Sequence, residues 1–137
     1  MRSLLLLACV ATAGAHDIPA DLAVHAFVKP AGNKLQLIVR MPLRAVRDVD
    51  FPEFSRGYLD IEKLSPQLPG LALLWIGNVV EIEEDGVRLM NPRVIATQLS
   101  FESDRSFESF ELARDHITGP KLANSANGNL EKLQFLF

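Results

Sequence analysis

The chain has almost no cysteine. Its one copy, Cys9, lies in the apolar stretch at the amino end, so the remainder has no disulfide and no thiolate ligand. A cysteine-based zinc site is thereby excluded. Beyond residue 20 there is no long apolar run. The best attempt, residues 71–76, is stopped by Gly77 and Asn78, where a membrane-spanning helix needs about 20 apolar residues. Positive charge is not in excess either: 14 Lys and Arg stand against 17 Asp and Glu, a formal net charge of −3. With signs interspersed and no basic stripe, a nucleic-acid partner is excluded. The nucleophile-elbow spacing G-x-S-x-G, the Walker A loop and the dinucleotide fingerprint are all missing, which leaves little basis for an enzyme. Asp17, Asp21, Asp48, Asp50 and Glu53 cluster in sequence but lack the spaced glycine of a calcium loop.

What is present begins at the amino end. Arg2, the apolar residues 3–10 and the small residues Ala13, Gly14 and Ala15 form an export signal with its cleavage site. Residues 1–15 are thus expected to be a signal peptide, and residues 16–137 a single exported domain at the periplasmic or extracytoplasmic face of a membrane. A rival processing reading takes Leu6-Leu7-Ala8-Cys9 as a lipid-attachment box. Cleavage after Ala15 leaves 122 residues, one domain in size, with 13 basic and 17 acidic side chains.

Residues 21–28 and 34–41 alternate apolar and polar around a Pro30-Ala31-Gly32-Asn33 turn, which predicts an antiparallel hairpin. Pro42 halts it and opens one or two helical turns. Residues 66–78 read as a short buried helix. Asp85-Gly86 predicts a second hairpin between residues 79–84 and 87–90. Residues 94–102 read as a strand with Ile95, Leu99 and Phe101 inward. Residues 104–117 read as a helix capped by Ser103 or Asp104, with Phe107, Phe110, Leu112 and Ala113 toward the core. The closing residues 130–137 are either a last strand or a strand cut short. The expected fold is mainly β (α+β): an antiparallel β-sandwich-like domain with two or three short helices, incomplete at its carboxyl end. An unpartnered last strand would leave an open apolar edge and promote self-association. Val24, Phe27, Leu37, Val39, Leu74, Trp75, Ile82, Ile95, Leu99 and Phe110 are the expected core.

The candidate chemistry rests on histidine. Cleavage after Ala15 makes His16 the first residue, and a terminal histidine chelates metal through its amine and ring nitrogen. His25, nine residues on, is the candidate second ligand. His116, near a helix end, is read as a complement to the helix dipole.

Several ordered stretches together, residues 16–28 (HDIPADLAVHAFV), 39–52 (VRMPLRAVRDVDFP), 57–60 (GYLD), 74–90 (LWIGNVVEIEEDGVRLM) and 101–107 (FESDRSF), resemble the exported N-terminal region of HupE/UreJ-type membrane proteins. That resemblance implies an exported β-rich domain ahead of a helical membrane bundle, in a family associated with nickel or cobalt uptake. The bundle, with its histidine- and aspartate-bearing helices, has no counterpart in these residues. The resemblance therefore implies a non-enzymatic accessory domain that meets a membrane protein or membrane-associated partner. A second reading is a free periplasmic protein binding nickel, cobalt or copper through His16 and His25. A third is a small copper enzyme built on a histidine brace.

Overall fold

A computed structural model describes residues 22–46, 48–123 and 128–137. The first alternating segments form β1 (His25–Ala31) and β2 (Lys34–Pro42), paired antiparallel from His25↔Arg40 to Ala31↔Lys34. Two residues close the hairpin, with Gly32 at φ 62° where a Cβ would be strained. β1 runs on through Pro30 because it is an edge strand, where a missing N–H is tolerated. After Pro42 the chain makes one 3₁₀ turn, Leu43–Ala45.

β3 (Glu53–Ser55) and β4 (Tyr58–Leu59) form a short hairpin. Asp60 then caps α1 (Ile61–Leu64), its carboxylate accepting the Lys63 N–H at 3.2 Å. The helical path continues through a 3₁₀ turn into α2 (Leu68–Val79). The helix expected over residues 66–78 thus has an earlier start, set by the Asp60 cap. β5 (Glu83–Glu84) and β6 (Val87–Arg88) flank Asp85 and Gly86, both at positive φ, as an Asp-Gly hairpin requires. β7 (Gln98–Phe101) follows, then a 3₁₀ turn at Ser106–Glu108 and α3 (Phe110–Thr118). The helix expected over residues 104–117 is therefore broken. Phe107 leaves helical geometry at ψ 26°, and Ser109 restarts the helix by accepting the Leu112 N–H at 3.2 Å. β8 (Leu133–Leu136) closes the chain.

The central sheet has the order β1-β2-β8-β7, antiparallel throughout. The closing segment is therefore a last strand paired on both sides, and the open apolar edge that an unpartnered one would leave is not formed by it. Its partners are Met41 and Leu99, both opposite Phe135, and Phe137 exchanges two further backbone bonds with Val39 at 2.7 and 3.0 Å. The segment before it is clamped to β4: Leu59 N–H donates to Gly128 O at 3.0 Å, and Leu130 N–H to Gly57 O at 3.2 Å. A Cβ on Gly128 would lie 3.1 Å from Leu59 O, so the approach favours glycine.

Strand alternation divides the sheet into two faces. Val39, Met41, Leu99, Leu133, Phe135 and Phe137 point to one, where they join Leu59, Ile61, Leu64, Leu68 and Ala72 in the main core. Trp75 packs edge-on to Phe137 at 5.7 Å. The other face carries Phe27, Ile38 and Leu136. Phe27 stacks on Phe107 at 4.7 Å and meets Phe110 edge-on at 6.4 Å, while Ala113 and Ile117 of α3 are buried. The molecule has the expected antiparallel α+β class, and the layers enclosing its sheet are helical.

Four apolar side chains expected inside are exposed. Leu74 is 64 % exposed because the 3.6-residue repeat turns Leu64, Leu68 and Ala72 inward and residues 73 and 74 outward. Ile95 is 87 % exposed because the β7–β8 ladder ends at Gln98↔Leu136, leaving residues 94–97 outside it. Val24 precedes the first paired residue of an edge strand, and Leu112 lies away from the Ala113–Ile117 side of α3.

Candidate functional site

His16, the first candidate metal ligand, lies outside the described residues, as do Asp17 and Asp21. His25 opens β1, is exposed, and holds its ring edge-on to Phe107 at 6.3 Å. With Arg40, Arg44, Glu102 and Gln134 it lines a hollow of about 110 Å³. Two guanidiniums against one carboxylate make this a poor setting for a cation. Among the described residues no three His, Cys, Asp or Glu side chains come together to hold a metal ion. Three-residue coordination involving His25 would need at least one ligand from outside them. The acidic cluster disperses: Glu53 accepts the Gly57 N–H at 3.1 Å to fix the β3–β4 turn, and Asp48 adopts positive φ in a loop.

A larger polar site lies beside the His25 hollow on the sheet's α3 face, where Ser100 pairs with Gln134. The chain leaves β7, turns at Asp104, and returns through α3, whose last turn carries His116. Asp104 Oδ1 accepts the Ser106 N–H at 2.8 Å. Asp104 Oδ2 stands 3.8 Å from His116 Nδ1, beyond hydrogen-bond length. Arg40 reaches toward the same carboxylate from β2, its guanidinium 4.9 Å over the Phe107 ring. Burial pushes the Asp104 carboxyl up. The Ser106 hydroxyl and N–H, followed by the charges of His116 and Arg40, oppose this and hold it below the ordinary carboxylate value. Asp104 is therefore ionised at neutral pH. Two buried polar side-chain atoms of residues gathered around Asp104 make no hydrogen bond: Arg40 Nε and His116 Nε2.

In front of Asp104 and His116 lies a cleft of about 410 Å³, floored by Gln98 and Ser100 and walled by residues 120–123. Gln98 Nε2 donates to Pro120 O at 2.7 Å, and Lys121 Nζ donates to Ile117 O at 3.2 Å and to Thr97 O, tying that wall to β7 and α3.

Comparison with family models, curated proteins and solved structures found no match for this chain. Its own geometry therefore carries the reading. A third feature is the distribution of exposed apolar side chains. Leu73, Leu74, Val87, Leu89, Met90 and Ile95 all fall within residues 73–95, on α2, the β5–β6 hairpin and the segment after it. No described helix is long and apolar enough to cross a membrane.

The pairing of Asp104 with His116, and the approach of Arg40, were not visible in the sequence. Asp104 was identified as a possible cap, and its carboxylate does bond a backbone N–H two residues on. Nothing in local spacing connects it to a side chain twelve residues later or to a strand more than sixty residues earlier.

Proposed function

We propose that this chain is a non-enzymatic, extracytoplasmic accessory domain of the kind found ahead of the membrane bundle in HupE/UreJ-type proteins. In this reading it meets a membrane-associated partner through the exposed apolar side chains of residues 73–95. The observation that carries the proposal is how the stretches of resemblance divide. Residues 39–52 and 57–60 supply structural positions: buried Val39, Met41, Leu43 and Leu59, and the capping Asp60. Residues 74–90 set Trp75 and Ile76 against the core but leave Leu74, Val87, Leu89 and Met90 exposed. Exposed apolar residues concentrated in one stretch are characteristic of contact surfaces. Sequencing genomic DNA beyond codon 137 tests the reading. Apolar stretches of membrane-spanning length, in frame or after one shift, support it; a stop followed by unrelated sequence refutes it.

A second reading is metal binding through His16 with His25 as the second ligand, His25 being exposed at the start of β1 but flanked by Arg40 and Arg44. Nickel, cobalt and copper are the candidate metals, because imidazole ligands suit them. Titration of the chain processed at Ala15, beside its His16→Ala variant, separates the readings. Binding lost with the imidazole favours a metal protein, and substrate oxidation by the copper-loaded chain would be required for a brace enzyme.

A further inference from the structure

The cleft before Asp104 and His116 is not needed for the proposed docking and carries an inference of its own. Its volume is about 410 Å³, and it opens broadly to solvent. Its wall is braced by the Gln98 and Lys121 bonds to backbone carbonyls. Two opposite charges line it, Asp104 and Lys121, and among the described residues no ion pair joins them. His116 Nδ1 approaches Asp104 Oδ2 at 3.8 Å, and two of the three Lys121 N–H donors are used on Ile117 and Thr97. Among the described residues the third has no partner. Phe101 and Leu122, both half-buried, add apolar surface.

A simple carboxylate entering this cleft would meet Lys121 but face Asp104. A simple amine would meet Asp104 but face Lys121, with Arg40 behind the carboxylate. A molecule carrying both charges offers each of them a charge-assisted hydrogen bond. We propose that the cleft binds a small zwitterion of the α-amino acid class, its ammonium on Asp104 and its carboxylate on Lys121, with its side chain against Phe101 and Leu122. The buried, unpaired His116 Nε2 beside Asp104 fits a polar environment that a ligand or its bound water completes.

The test is a backbone amide NMR titration of the full chain with glycine, L-alanine and L-leucine, beside acetate and methylammonium as single-charge controls. The expected result is saturable shifts confined to residues 98–104 and 116–123, with a Kd of about 1 mM or tighter for at least one amino acid. Each control should bind at least about tenfold more weakly, since each lacks one charge-assisted bond. Lys121→Gln should lower affinity about tenfold while Lys121→Arg retains it, with thermal melts confirming that both variants fold. Absence of saturable shifts with every amino acid overturns the proposal. So does acetate or methylammonium binding as tightly as the amino acids, or Lys121→Gln leaving their affinity unchanged.

Discussion

Asp104 gathers Arg40, Ser106 and His116 around a single carboxylate. Its carboxylate takes the Ser106 N–H, faces His116 and Arg40, and is held below the ordinary carboxyl value. A carboxyl lowered by folding contributes stability that is full above its unfolded value, near about 3.9, and is lost as pH falls through the lower folded value. Asp104→Asn should therefore cost about 1–2 kcal/mol at neutral pH, the worth of one charge-assisted bond in a partly buried setting. It should also flatten the acid limb of the stability curve. Urea unfolding of both proteins from neutral pH down through the carboxylate range checks this. Parallel acid limbs would mean that other carboxylates govern acid unfolding.

At the scale of elements, burial separates apolar residues that composition alone treats alike. Phe135 is fully buried in β8, its ring 4.9 Å from that of Phe137, and Phe135→Ala should cost about 3–5 kcal/mol. Ile95 is 87 % exposed, and Ile95→Ala should stay within about 0.5 kcal/mol of the parent. Gly86→Ala tests the hairpin differently. Its φ is 76° and nothing lies within 4 Å of the added Cβ, so the whole cost, about 1 kcal/mol, comes from the backbone. Chemical denaturation of the three variants measures all of these. The same contrast explains how much of the fold was legible. The β1–β2 hairpin, the 3₁₀ turn after Pro42 and the Asp85-Gly86 turn follow from neighbouring residues, because a turn and two alternating flanks determine each other locally. Ile95 and Leu74 misled because period-two and apolar-run signals report a preference for burial, not the partner that provides it. The Asp104 site was illegible for a related reason: Arg40, Asp104 and His116 converge only once the sheet and α3 have formed.

For the whole molecule, the consequential arrangement is that the last strand is central. β8 lies between β2 and β7, so Phe135 stands opposite both Met41 and Leu99, and Phe137 bonds back to Val39. Residues 133–137 thus join the amino-terminal hairpin to the β7–α3 half, and their apolar side chains fill the core those halves share. Without them β2 and β7 have no described pairing with each other, and the loop-closure cost of bringing residues so distant in sequence together has nothing to offset it. A chain ending at Asn127 should therefore fail to fold cooperatively, losing its near-ultraviolet circular dichroism and sharp urea transition. A synthetic peptide of residues 128–137 should restore both, since the Gly128–Leu59 and Leu130–Gly57 bonds give it a docking register before the strand inserts. In the intact chain, the amides joining β2, β8 and β7 should exchange with deuterium at the rate of global unfolding, and those of the β5–β6 hairpin far sooner. A truncated chain that kept a cooperative transition would show that the two halves find each other without β8, and that the central strand follows the fold instead of completing it.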